Sequence, residues 1–328
     1  MTVRIGVSFD GFEPFGEALE TAKAAAAAGA KSLWMAQHLG YRDAMVSCMA
    51  FLMATGDAVV VPTAVSPYVT HPTPLAMMLA TMAEAAPGRV AVALGTGNPL
   101  FLKESGAQVV KPLKAMREFI ACLNSLWSGQ PAHVAGELFR LDGARMAFAP
   151  PAPVPVYVAA MREQMMRLGG RSADGVVLSA GVSAGFSAVS LGWARDGAAA
   201  AGRDPAKVRA AAYLYTAISE DGRKAVDLLR GKLAFLFRNQ HLAENIAHSG
   251  LPIDQPAIIE AVARRDAAAA SALVPGEAVE AFAVGGTPRQ ARDRLEAYIA
   301  AGVEEPVLVV LGDAESRRLA LELVRDFA

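Results

Sequence analysis

Val59-Val60-Val61-Pro62-Thr63-Ala64-Val65-Ser66-Pro67-Tyr68-Val69-Thr70-His71-Pro72 is the stretch whose reading decides the fold. It begins as an unbroken apolar run, the pattern of a strand buried on both faces. It then turns polar, and Pro67, Pro72 and Pro74 bias the residues before them, Ser66, His71 and Thr73, toward extended backbone. A buried strand that opens into a stiff loop carrying a hydroxyl, a phenol and an imidazole is how α/β enzymes present their chemistry.

The units on either side repeat this plan. Residues 3–8, 32–35 and 90–94 read as further short strands. Residues 17–28 and 44–55 read as helices stopped by Gly29 and Gly56. Residues 74–86 form a third helix, with Leu75, Met78, Leu79 and Met82 on one core-facing stripe. A helix over 111–127 continues the series. Strands and helices alternating through connections this short make parallel βα units. Residues 133–141 and 144–148 break the rhythm as a small hairpin, and strands resume at 155–159, 175–178, 208–217 and 306–310. Thr287-Pro288-Arg289-Gln290 is a capping box that starts the helix before the last strand.

Eight such strands predict a (β/α)8 barrel built from the whole chain, 1–328. The rival open doubly wound sheet lacks its fingerprint, because Gly6-Val7-Ser8-Phe9-Asp10-Gly11 does not give Gly-x-Gly-x-x-Gly. Residues 220–279 are helical and longer than any ordinary βα connection needs, so they read as an insertion that walls or covers a site.

Composition narrows the function. The net charge is −1 with charges scattered, which excludes a basic nucleic-acid surface. Cys48 and Cys122 lie in apolar helical surroundings and read as reduced core thiols without a metal-ligand pattern. The apolar stretch over 44–61 is broken by Thr55-Gly56-Asp57, so it is a helix and a strand and not a membrane span. With no apolar leader at residues 1–6, the expectation is a soluble cytoplasmic protein.

A barrel places its chemistry just after the strands. Those positions hold Ser8 and Asp10, then Gln37 and His38, then Ala64, Val65, Ser66 and His71. Thr96 and Asn98 follow the fourth strand, Ala160, Met161 and Arg162 the fifth, Ser179, Ala180 and Gly181 the sixth, and Tyr215 and Thr216 belong to the seventh. The set is rich in neutral donors and small residues and poor in paired carboxylates. It has no nucleophile elbow, phosphate-loop motif or metal constellation. That suits a bound conjugated cofactor which carries the hard chemistry itself. Arg162 opens a helix, where the dipole opposes a cation; it is either a solvated surface residue or a partner of a phosphate that the free N–H groups also face. The loop 179–181 would complete one phosphate cup with it. His38 is the candidate acid or base, and His71 either contacts a ligand or only fixes its loop. His133, His241 and His248 read as structural. Phe9, Phe12, Tyr68, Phe101 and Leu102 either line the mouth or pack beneath it.

These residues also carry a resemblance. Ser32-Leu33-Trp34-Met35-Ala36-Gln37-His38-Leu39-Gly40-Tyr41-Arg42-Asp43, the loop over 63–72, the segment 88–97, Pro155-Val156-Tyr157-Val158-Ala159-Ala160, Ala173-Asp174-Gly175-Val176 and Gly286-Thr287-Pro288 are together similar to the luciferase-like flavin oxidoreductases. The pieces resemble most the methylene-tetrahydromethanopterin reductase branch. The resemblance implies a TIM barrel, a homodimer, and a flavin or the deazaflavin coenzyme F-420 in the barrel mouth. It implies cofactor contacts from Ala64, Val65, Ser66, His71 and Thr96, with the phosphate near 160–162 and 179–181. It further implies a non-proline cis peptide at the end of the third strand, by position Ala64-Val65. Catalytic roles fall to His38, Asp10 and Asn98. This chain departs from the reductases where acids are usual: it has Ser8 at the end of strand one, Gln37 before the histidine and Asn98 after the strand-four glycines.

The leading expectation is therefore a luciferase-like monooxygenase. It would use reduced FMN, supplied by a separate flavin reductase, and dioxygen on a small organic substrate. The alternative is an F-420-dependent reductase or dehydrogenase, and the second alternative is a flavin-binding protein without turnover.

Overall fold

The computed structural model describes residues 3–328. Its strands are β1 (Gly6–Phe9), β2 (Ser32–Ala36), β3 (Val59–Thr63), β4 (Val92–Leu94), β5 (Ala132–Ala135), β6 (Arg140–Ala144), β7 (Val156–Ala160), β8 (Gly175–Leu178), β9 (Arg209–Ile218), β10 (Val284–Gly286) and β11 (Glu305–Val310). The helices through the fifth crossover are α1 (Phe15–Ala27), α2 (Ala44–Ala54), α3 (Pro72–Ala85), α4 (Pro99–Glu104), α5 (Pro112–Leu126) and α6 (Glu163–Ser172). They continue as α7 (Ala184–Ala200), α8 (Arg223–Phe237), α9 (Ala243–His248), α10 (Gln255–Ala263), α11 (Ala267–Ala272), α12 (Gly276–Phe282), α13 (Pro288–Ala300) and α14 (Ala314–Asp326).

The main sheet runs β3-β2-β1-β11-β9-β8-β7-β4 with parallel neighbours. Parallel bridges Val60 to Val90 and Val65 to Leu94 bring β3 to β4 and close the ring. This is the eight-stranded α/β barrel that the alternation predicts, with strand ends shifted by a few residues. One strand is additional: β10 pairs with the far end of β9. Its Val-Gly-Gly sequence is too short to show a period, which is why the pattern does not reveal it.

Period-two alternation sorts the strand side chains. Trp34, Val61, Ala91, Ala93, Tyr157, Val177, Ala211 and Val307 fill the barrel interior. The opposite faces pack on the helices in the larger core, where Cys48 and Cys122 are buried free thiols. Phe9 belongs to this outer core, 4.8 Å from the ring of Phe51, because it stands one residue beyond the inward-facing Ser8. At the N-terminal end of the barrel the Ser32 hydroxyl donates to Glu305 at 2.5 Å, and the Trp34 indole N–H donates to Ser32 at 2.8 Å. Burial, and then the Glu305 carboxylate, push the Tyr157 phenol up to about 12. A closed polar network at this end serves stability, since barrel chemistry sits at the other end.

β5 and β6 form the expected antiparallel hairpin. The Glu118 carboxylate of α5 accepts from the backbone N–H of Glu137, Leu138 and Phe139 in its turn. Gly136 permits that approach, because a Cβ there would lie 2.6 Å from Glu118 Oε2. Residues 223–282 carry α8 to α12 around their own apolar cluster of Leu229, Leu233, Phe237, Ile258, Val279 and Phe282. No helix of the described residues is long and apolar enough to cross a membrane.

Candidate active site

The loops after the C-terminal ends of the strands form the mouth. His38, just past β2, has Nδ1 2.8 Å from the carbonyl oxygen of Asp10. A carbonyl only accepts, so Nδ1 carries the hydrogen and Nε2 is the nitrogen free to exchange a proton. The Asp10 carboxylate is used elsewhere, accepting from Phe12 N–H at 2.8 Å. Arg42 donates to the carbonyls of Gly11 and Phe12 and ties the loop after β1 to the loop after β2. Phe12 thereby stacks on the His38 ring at 5.1 Å, and Phe101 meets its edge at 5.7 Å. Tyr41 completes an aromatic rim, 4.5 Å from Phe12. Phe12 and Tyr41 are exposed.

Gln37 is a bracket and not a free group. Its Nε2 donates to Asp43, and its Oε1 accepts from Ala44 N–H at the start of α2. Gln37, Ala64, Ser66, Asn98, Phe101 and Leu102 meet at one small cleft. The Ser66 hydroxyl donates to the Thr96 carbonyl at 3.2 Å and joins the loops after β3 and β4. Asn98 accepts from Leu100 N–H and caps α4, and His71 accepts from Thr73 N–H and caps α3. The exposed His71 ring approaches Phe139 of the hairpin side at 6.5 Å. A wider depression of about 470 Å³ lies at the opposite, N-terminal end, between Lys23, Gly29, Lys31 and Asp57, away from these groups.

The cis bond is Thr63-Ala64, one bond earlier than the expected Ala64-Val65. Val65 is held in the bridge to β4: its N–H reaches Ala93 O and its carbonyl accepts from Gly95 N–H. The cis unit therefore sits between the last β3 residue and that bridge. Ala64, Gly95 and Ala159 pack closely there; a Cβ on Gly95 would lie 2.8 Å from that of Ala64. The result is a platform of small residues. Beneath the mouth, the Tyr213 hydroxyl is buried with no well-formed hydrogen bond among the described residues. The hydroxyls of Thr63 and Ser8 are near it, and burial pushes its phenol up.

Across the barrel, Ala160 pairs with Leu178 in register. The segments 160–162 and 179–181 therefore emerge side by side. Arg162 is the exposed residue before α6; its side chain makes no cap and no ion pair among the described residues. Gly181 takes φ 83°, a left-handed turn that glycine adopts freely. In the strand order β2 and β8 are four places apart, so His38 and this cup face each other across the mouth. Sequence reasoning missed Tyr213, Asn245 and Tyr298. The last two hold the 179–183 loop from helices distant in sequence.

Residues 2–305 match the family model described as luciferase-like monooxygenase. The chain is 27% identical to a 5,10-methylenetetrahydromethanopterin reductase of Methanolobus tindarius, covering 92% of each chain. It is 30% identical to an F420-dependent hydroxymycolic acid dehydrogenase of Mycobacterium tuberculosis, over 64% of this chain and 61% of that one. The solved coenzyme F420-dependent tetrahydromethanopterin reductase of Methanopyrus kandleri shares the fold, with a TM-score of 0.87 at 22% identity over 100% of this chain and 99% of that one. These relatives overturn the expectation of an FMN-dependent monooxygenase. The quoted segments already resembled the reductase branch most; the neutral residues Ser8, Gln37 and Asn98, where acids are usual, were what had argued against it.

Proposed function

The chain belongs to the luciferase-like monooxygenase family and is an oxidoreductase of that family; within it, we propose an F420-dependent reductase or dehydrogenase acting on a small, uncharged organic substrate. The observation that carries this is the relatives of the preceding section, reductases and an F420-dependent dehydrogenase. The residues present fit such a cofactor. The small-residue platform of Ala64, Gly95 and Ala159 suits a flat ring. The exposed Arg162 and the turn at Gly181 suit a phosphate.

When bound, the deazaflavin supplies hydride transfer. The chain's own residues do the rest. Arg162 and the loop 179–181 anchor the phosphate. His38, its Nδ1–H held by the Asp10 carbonyl, would take up or return the proton of the substrate heteroatom at Nε2. Phe12, Tyr41 and Phe101 exclude water from above. The rim beside His38 is aromatic, and Arg42 there is spent on backbone carbonyls, which favours a neutral alcohol, ketone or imine over an anionic substrate.

We further propose a homodimer. α2 is apolar nearly all round, and Val46 and Met53 on its outer side are each 68% exposed. A helix of that composition is normally covered.

The test is titration of the purified protein with coenzyme F420 and, separately, with FMN, followed by fluorescence. Tight F420 binding is expected, then absorbance change of the bound deazaflavin with secondary alcohols, ketones or cyclic imines. Tight FMN binding without F420 binding overturns the proposal.

A further inference from the structure

The loop after β8 is held from behind by a side chain of the helical insertion. Asn245, on α9, is 2% exposed. Its Nδ2 donates to the Gly181 carbonyl at 2.8 Å, and its Oδ1 accepts from Ser183 N–H at 2.9 Å. Only a primary amide, with donor and acceptor on one planar group, satisfies both partners. Leu236 of α8 presses on the same turn, since a Cβ on Gly181 would lie 2.7 Å from its Cδ1. Tyr298 of α13 donates to the Val182 carbonyl at 2.8 Å.

A trans peptide points its C=O and N–H in opposite directions. Fixing the Gly181 carbonyl toward Asn245 therefore aims the Val182 N–H away from α9. The N–H groups of Ala180, Gly181 and Val182 find no acceptor among the described residues. Unspent N–H groups on a turn beside Arg162 are the donors that an anion would need there.

Resting on the phosphate placement proposed above, we propose that Asn245 is a positioning residue that sets this loop to receive the cofactor phosphate. A helix of the segment 223–282 then fixes the geometry of the anchor. Asn245 touches no reacting atom. Its effect belongs to the phosphate increment of affinity and not to the ring.

The experiment uses the full chain and two probes, 8-hydroxy-5-deazariboflavin and its 5′-phosphate, with binding followed by fluorescence. The wild type is expected to prefer the phosphate ester by about tenfold or more, the scale of charge-assisted hydrogen bonds. Asn245→Ala is expected to lower that ratio by about threefold or more, the remainder being held by Arg162, while affinity for the phosphate-free probe changes by less than about twofold. Asn245→Asp keeps the acceptor for Ser183 but sets a carboxylate oxygen against the Gly181 carbonyl, and is expected to lower the ratio too. If Asn245→Ala does not fold, as judged by circular dichroism, the aspartate variant is read the same way. An unchanged ratio in the folded variants, or an equal loss for both probes, overturns the positioning role and leaves the phosphate site standing. A wild-type ratio near one overturns the phosphate site itself, and this inference with it.

Discussion

His38 is oriented by the backbone of Asp10 and not by its carboxylate: Nδ1 lies 2.8 Å from the Asp10 carbonyl oxygen. The two residues therefore separate under mutation. His38→Ala is expected to lower kcat by about 10²-fold or more with little loss of cofactor affinity, the usual weight of a general acid or base. Asp10→Asn keeps both the carbonyl and an acceptor for Phe12 N–H, and should leave kcat within about threefold. Steady-state kinetics on the two variants check this; equal losses would assign the chemistry to the Asp10 side chain.

Arg162 stands at the entrance to α6, and among the described residues its side chain makes no cap and no ion pair. Arg162→Ala is expected to weaken F420 binding by about tenfold, while Arg162→Lys retains part of the affinity as a point charge. Fluorescence titration measures both. Unchanged affinity would place the phosphate elsewhere.

Glu118 makes a pH prediction for the fold. Burial disfavours its charge, but the N–H groups of Leu138, Phe139 and Glu137, with Lys114 nearby, outweigh that and hold it below its ordinary value of 4.5. A depressed carboxyl stabilises the fold above the unfolded pKa, and that stability is lost as pH falls through the folded value. Glu118→Gln should cost about 1–3 kcal/mol at neutral pH, because its amide N–H group faces other donors. In urea melts, the gap between wild type and Glu118→Gln should narrow steadily below pH 4.5. A gap independent of pH would show that the charge is not what holds the hairpin.

The outer face of α2 predicts self-association. Met53→Glu combined with Val46→Glu places charges on the two most exposed apolar side chains of that helix. Sedimentation velocity is expected to show a dimer for the wild type and a monomer for the double variant. A monomeric wild type would leave the apolar face without a partner in its own chain.

The barrel is written in local patterns along the chain. Each βα unit is a local statement: an apolar run, a glycine or capping stop, an amphipathic stripe, as with Val59-Val60-Val61 followed by the helix from Pro72. Parallel strands joined by short crossovers have few ways to close, so local signals sufficed. The catalytic candidates were legible for the same reason, since a barrel assigns chemistry to the ends of its strands. What local patterns could not reach were contacts between segments far apart in the chain. Phe9 faces the core because of its parity within β1, a register that only pairing with β2 and β11 fixes. Asn245 lies on the same buried side of its helix as Leu242 and Ile246, but 62 residues separate it from Ser183. Its meaning lies in two hydrogen bonds, and hydrogen bonds depend on distance and direction in space, which spacing along a chain does not encode. The absence of acids at Ser8, Gln37 and Asn98 misled for the same reason, because what a side chain does is set by its partners in space: Gln37 and Asn98 are both spent on backbone N–H groups at helix starts.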